Sequence, residues 1–337
     1  MLWLVAIQSA LPCAALITSE TQLAASDAQE AILDLTGSSM VVEYRVQYDG
    51  DAVELGWVIP VLGTFESLED GDEARFDAVR AESQPTVEWQ SIDDGGGGFG
   101  CGAKSGAGGD RANLADTADV AVLAQGFTGT YDYAVVDAES AESLASWGVA
   151  NGFETSGVTV VVEEYLDDDR PILLVKVAPD SAETPIEGRF LPPLRVTYAG
   201  DAAYPARMGR SSSTQTMDTT LYVIGPQRAE MTGWQTVELP WMDGGDDPET
   251  AYAAELLGIG LQQGYALVHA APYQDAFLTR FDTRAPVDVH TVDPAVTAQG
   301  GLGELHLRIS AQGTDTGGSA AWLLPLLGLG WLVRRRD

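Results

Sequence analysis

Apolar and polar positions alternate most regularly where Val42, Tyr44, Val46 and Tyr48 are separated by Glu43, Arg45 and Gln47. A period of two predicts a strand with one buried face and one polar face. Asp49-Gly50 then reads as a tight turn, with 53–61 as the hairpin partner, so that 31–61 as a whole is β. Between 72 and 83 the period changes: Phe76 and Val79 stand three apart behind an acidic first turn, which predicts a helix that Pro85 follows. A second helix is predicted at 140–150, closed by Asn151-Gly152, and a third at 249–262 behind Pro248. Strands are predicted at 87–92, 120–124, 131–136, 172–177, 194–198, 219–224, 237–239, 265–269 and 305–309. The segment 158–166 stays open, because its valines favour a strand while its run into Asp167-Asp168-Asp169 suits the end of a short helix. Adjacent strands joined by turns predict an α+β fold with mostly antiparallel sheets and a few packed helices. Trp57 and Trp147 are the expected core fillers.

The ends of the chain depart from this pattern. Residues 1–7 form a brief apolar run followed by Gln8-Ser9-Ala10, which resembles a short secretory signal over 1–12 although it lacks a basic start. A lipid-bearing role for Cys13 is opposed by Pro12, where a small residue would be needed. At the other end, Gly317-Gly318-Ser319 precedes the apolar run 320–333 and the cluster Arg334-Arg335-Arg336. At ~1.5 Å per helical residue that run covers about 20 Å of a hydrocarbon core of roughly 30 Å. It resembles the processed C-terminal sorting signals of Gram-negative bacteria, above all the Gly-Gly type read by rhomboid-like proteases; a short membrane anchor is the alternative. The basic cluster favours the cytoplasmic side, which leaves the rest of the chain beyond the inner membrane. The expected organisation is therefore 1–12 signal, 13–178 and 179–310 as two parts of one body, and 311–337 as linker and membrane segment.

Length and composition support a folded body: 337 residues, 45% hydrophobic, with 8 Phe, 8 Trp and 11 Tyr. The net charge of −32, with Lys104 and Lys176 the sole lysines, excludes general nucleic-acid binding because little is available to neutralise phosphates. Surface hydration in salty surroundings and divalent-cation binding are the two readings left for so many carboxylates. Asp167, Asp168 and Asp169, and Asp243, Asp246 and Asp247, are the candidate ligands, and calcium is the ion that oxygen donors on loops would take. Neither group has the EF-hand spacing, and both also read as solvated turns. Cys13 and Cys101 are the only cysteines, and in an exported chain they are candidates for one disulfide.

No catalytic set assembles. Gly95-Gly96-Gly97-Gly98-Phe99-Gly100 satisfies a dinucleotide fingerprint formally, but more glycine-rich loop follows it where a helix is required. Gly102-Ala103-Lys104-Ser105 lacks the glycine a phosphate loop needs before its lysine. His269, His290 and His306 have no helical metal spacing, and Ser211-Ser212-Ser213 has no nucleophile elbow. A non-enzymatic exported protein is the leading expectation, without a bound cofactor. An extracellular hydrolase with two carboxylates about 5 to 10 Å apart is the alternative.

Several blocks in order resemble an uncharacterised bacterial family, domain of unknown function 2330. They are Trp57-Val58-Ile59-Pro60-Val61, Phe76-Asp77-Ala78-Val79, Tyr131-Asp132-Tyr133-Ala134-Val135-Val136 and Leu173-Leu174-Val175-Lys176-Val177. Tyr204-Pro205-Ala206-Arg207-Met208 and Phe277-Leu278-Thr279-Arg280 continue the match. The resemblance implies an exported, often membrane-tethered protein of the myxobacterial type. It implies no activity and no catalytic residues.

Overall fold

A computed structural model describes residues 15–18, 24–25, 28–50, 55–91, 119–153, 155, 159–177, 189–211, 216–245, 247–263, 265–286, 288, 291–298 and 304–313. The first strands are β1 (Ala15–Thr18), β2 (Ala24–Ala25), β3 (Ala28–Asp34), β4 (Met40–Gly50), β5 (Leu55–Pro60) and β6 (Thr64–Asp70). Helix α1 (Glu73–Glu82) and strand β7 (Thr86–Ser91) follow. Then come β8 (Val120–Phe127), β9 (Tyr131–Ala138), helices α2 (Ala141–Ala150) and α3 (Thr159–Asp167), and β10 (Ile172–Val177). Beyond these lie β11 (Arg189–Phe190), β12 (Leu194–Ala199), a 3-10 turn at Ala206–Ser211, β13 (Thr216–Gly225), β14 (Ala229–Thr232), β15 (Gln235–Glu238) and β16 (Trp241–Gly245). The last elements are helix α4 (Pro248–Gln263), β17 (Tyr265–Tyr273), β18 (Ala276–Pro286), β19 (Ala295–Ala298) and β20 (Arg308–Gly313).

The fold is α+β with mainly antiparallel pairing. The largest sheet runs β15-β17-β18-β13-β3-β4-β12-β6, with β2 and β11 added to β4. Within it β13 runs parallel to β3, and β15 parallel to β17. A five-stranded sheet has the order β1-β5-β10-β9-β8, and β16-β20-β7 form a small parallel sheet. Strands from both sides of residue 178 alternate in the largest sheet, so the two stretches share one hydrogen-bonded frame.

The expected helices form for the expected reasons. Asp72 caps α1 by accepting from the Ala74 amide at 2.9 Å, and Ser140 and Ser143 close a capping box on α2. Gly152 takes φ +79 just past α2, a region open to glycine without penalty. The open segment is α3, which buries Val161, Val162 and Tyr165 on one side. Helical spacing of those three positions outweighs the strand preference of valine, which is a weak prior.

Besides the turn at Asp49-Gly50, which is instead the end of β4 and pairs with β2, two strand expectations need correction. Strand β5 is not the hairpin partner of β4: it pairs with β1 and β10 in the five-stranded sheet, while β4 lies between β3 and β12. Alternation fixes which side chains share a face and says nothing about which strand lies alongside. The second error concerns the polar face of β4. Glu43 and Arg45 are buried just as Val42, Tyr44 and Val46 are.

The two faces of the largest sheet have different partners. On one, Leu33, Val42, Tyr44, Val196, Leu221 and Phe281 join a single apolar core with Trp57, Val135 and Leu173 of the five-stranded sheet. Trp57 and Trp147 both lie in that core. On the other face, Ile32, Tyr222, Ile224 and Leu278 pack against Phe76 and Val79 of α1. Helix α4 packs against β18 and also against the small parallel sheet, where Tyr252 clusters with Met242, Leu307 and Ile309. The face under α1 and α4 carries the buried charges.

Candidate functional site

Strand register sets the site. Glu30 of β3 stands opposite Arg45 of β4 and beside Thr220 of β13, which is opposite Asp282 of β18. One row over, Tyr222 is opposite Arg280, and Arg280 is opposite His269 of β17. These side chains share the sheet face that α1 and α4 cover, because residues two apart on a strand point the same way.

Three positive groups converge on two acids. Arg45 Nε donates to Glu30 Oε2 at 2.9 Å, and Arg80 Nη2, reaching down from α1, donates to the same oxygen at 2.7 Å. The Tyr222 hydroxyl donates to Glu30 Oε1 at 3.3 Å. Asp282 accepts from Thr220 Oγ1 at 2.8 Å, from Arg280 Nε at 2.9 Å and from the Tyr252 hydroxyl of α4 at 2.8 Å. Around this centre, Arg45 also binds Glu73, and Arg75 of α1 binds Asp34 and Glu43. Buried charges are tolerated when they are paired in this way.

The network perturbs its members. Burial raises the Glu30 carboxyl above the ordinary glutamate range, against the pull of Arg80 and Arg280. Burial likewise pushes the Tyr252 hydroxyl well up, and the negative charge of Asp282 adds to the effect. Burial lowers His269 to about 4, partly opposed by Asp282 and reinforced by Arg280. His269 is therefore neutral at pH 7. Its Nε2 lies 3.2 Å from the Tyr252 hydroxyl, whose single hydrogen goes to Asp282. His269 must then donate through Nε2, which assigns its tautomer.

Glu30, Arg80, Tyr222, Tyr252, Arg280 and Asp282 line a cavity between the sheet and α4, together with the ion pair of Asp218 and Arg284. Water centres can occupy about 30 Å³ of it. That is room for about two water molecules, not for an organic substrate. All three acids lining the space, Glu30, Asp218 and Asp282, are engaged by guanidinium groups, so none is arranged as the free general acid a hydrolase requires.

None of these residues was among the sequence candidates. The candidates lie elsewhere. Asp167 ends α3, and Asp168 pairs with Arg207 at 2.7 Å. Asp169 follows in a left-handed turn at φ 55. Arg207 also binds Asp293 at 3.0 Å and lies over the Tyr165 ring. Asp243 is not in a turn but in β16, near Ser310 Oγ at 3.3 Å. Asp247 caps α4 by accepting from the Thr250 amide at 3.1 Å and its hydroxyl at 2.7 Å. Among the described residues no group of three His, Cys, Asp or Glu is placed to hold a metal. Cys13, Cys101, Asp246, Gly317, Gly318, Arg334, Arg335 and Arg336 lie outside the described residues, as do His290 and the glycine-rich stretch 93–113.

Because Asp168 and Asp247 already have protein partners, calcium is expected to leave the melting midpoint where sodium chloride of equal ionic strength leaves it. A calcium-specific rise, about 2.7 kcal/mol at a concentration 100-fold above Kd, would restore the two acidic groups as a cation site.

The chain also resembles known proteins. The family described as uncharacterized protein conserved in bacteria (DUF2330) matches residues 7–297. A search of the curated proteins finds no match. Among solved structures, the crystal structure of baculovirus P35 aligns with 82% of this chain and 98% of its own at 7% identity. Its TM-score is 0.32, too low to carry an argument about fold or role. The family match spans most of the chain, including every strand of the largest and the five-stranded sheets, and on it the chain belongs to DUF2330.

Proposed function

We propose that this protein is an exported, non-enzymatic component of the bacterial envelope or cell surface, held or processed through its C-terminal apolar segment. Export is supported by the two chain ends read together: the apolar start 1–7, and Gly317-Gly318 followed by the apolar run 320–333 and Arg334-Arg335-Arg336. Among the described residues no helix is long and apolar enough to cross a membrane, and the run 320–333 lies outside them. The non-enzymatic reading rests on one observation above all. Where ionisable side chains converge, at Glu30 and Asp282, they bind one another around space for about two waters.

The partners this role requires are the membrane and a rhomboid-like protease that cleaves near Gly318. Cell fractionation is expected to recover the protein with envelope or surface material; full-length protein in the soluble cytoplasm would overturn the proposal. Intact-mass analysis then separates the two fates of the tail. Loss of the residues beyond about Gly318 is the expected result, whereas retention of Arg336 would identify a permanent anchor.

A further inference from the structure

The small parallel sheet turns one face inward and the other outward. Met242 of β16 and Ile309 of β20 point in, where they cluster with Tyr252 of α4, and Val87 of β7 packs against them half-buried. Alternation and register then fix the opposite face. Trp241, Arg308 and Thr86 form one outward row, and Asp243, Ser310 and Glu88 form the next. Trp241 is 55% exposed, and among the described residues it is the one aromatic in the set of exposed large hydrophobic side chains. A lone exposed apolar side chain is ordinary in itself. Its surroundings are what distinguish it, because every other outward position in the two rows carries a hydrogen-bonding group. Arg308 binds Glu88 at 3.4 Å, with both side chains more than half exposed, and Ser310 Oγ donates to Asp243 at 3.3 Å. Since β20 lies between β16 and β7, Arg308 reaches away from Trp241 and leaves the indole uncovered by its neighbouring cation. The Arg308 amide donates to the Pro240 carbonyl at 3.1 Å, which holds the start of β16 against β20.

An aromatic plate ringed by donors and acceptors is complementary to a pyranose ring, whose apolar C–H face can stack while its hydroxyls both donate and accept. The mixed signs select against charged ligands. An anionic polymer would meet Asp243, Glu88 and a chain of net charge −32, and a cationic one would meet Arg308 beside the plate. Size selects against a protein. Strands about 4.8 Å apart and outward rows about 6.6 Å apart make a patch of roughly 10 by 7 Å. That is disaccharide-sized and far short of the roughly 800 Å² that each partner of a stable protein pair buries. We propose that this face binds neutral polysaccharide, with Trp241 stacking on a sugar ring and Arg308, Glu88 and Asp243 bonding its hydroxyls. The site stands on the sheet alone; if the protein is exported as proposed above, the polysaccharide is that of the envelope.

Saturation-transfer difference NMR on the purified full chain, with the neutral tetrasaccharides chitotetraose and cellotetraose as probes, tests this. Transfer to at least one of them is expected, strongest at the ring C–H protons. Trp241→Ala should weaken that binding at least about tenfold, as loss of a central tryptophan does in small interfaces. Its melting temperature should stay within about 2 °C of the parent, because the side chain it removes is outside the core. Trp241→Phe keeps a smaller plate and should fall between the two. No transfer to either sugar, or transfer that Trp241→Ala leaves unchanged, would overturn the proposal. So would equal or tighter binding of the cationic, deacetylated form of chitotetraose. A lower molecular mass of Trp241→Ala in solution would instead make the face a contact between copies of the chain, and would overturn it too. Purified protein is used throughout, so the sugar site and export can fail separately.

Discussion

Glu30→Ala is expected to destabilise the protein by about 3–5 kcal/mol, the cost of leaving buried charge without its partner. Glu30 is the common acceptor for Arg45 and Arg80, so its loss leaves these two buried guanidinium groups with only the exposed acids Glu73 and Asp77 as partners. Against a total stability of about 5–15 kcal/mol, such a loss takes much of the native population at physiological temperature. Glu30→Gln keeps an acceptor oxygen but not the charge, and should fall between the parent and Glu30→Ala. The measurement is urea unfolding, with the shift in midpoint read at constant slope. A loss below about 1 kcal/mol for Glu30→Ala would show that these arginines reach solvent. Replacing Glu30, Arg45 and Arg80 together by apolar residues of similar volume is expected to cost less than Glu30→Ala alone, since removing all partners strands none.

Acid should weaken the fold through His269. Its pKa falls from 6.5 to about 4 on burial, so the unfolded chain takes up a proton in this window that the folded protein refuses. The contribution is therefore fully present above about pH 6.5 and is lost as the pH drops through about 4. A shift of that size is worth about 3 kcal/mol. The charged and titratable neighbours are Asp282, Arg280, Tyr252 and His306, and all remain in a His269→Gln variant. Subtracting the variant's stability from the parent's at each pH therefore isolates this one residue. The difference should decline between pH 6.5 and 4. A flat difference would show that His269 titrates in the folded protein as it does in the unfolded chain.

How much of this was legible in the residues depended on what each pattern encodes. The period at Phe76 and Val79 and the acidic first turn identified α1, and Asn151-Gly152 identified the end of α2, because these are local preferences. Strand β18 gave no such signal. It reads Ala-Phe-Leu-Thr-Arg-Phe-Asp-Thr-Arg-Ala-Pro, and Arg280 and Asp282 in a buried strand look like solvent-facing positions until their partners are known. The same reasoning misread Glu43 and Arg45. A charged residue at every second position marks a common face, but only the arrival of α1, with Arg75 and Arg80, makes that face an interior. One clue was available. In a chain with 18 basic and 50 acidic residues, arginines placed at regular strand positions are scarce enough to be matched with particular acids. The acidic clusters at 167–169 and 243–247 drew attention through density alone, and density does not report pairing.

The parallel ladder between β3 and β13 has a consequence for biogenesis. Ala28 pairs with Asp218, and Gln29 donates to Thr219 across 190 residues of chain. As the polypeptide leaves the ribosome, β3 and β4 emerge with Glu30 and Arg45 long before Tyr222, Arg280 and Asp282 exist to enclose them. The central sheet cannot close until β18 has been synthesised, and contacts so distant in sequence form slowly. The five-stranded sheet, by contrast, has all its strands by Val177, so the two large sheets become able to form at different stages of synthesis.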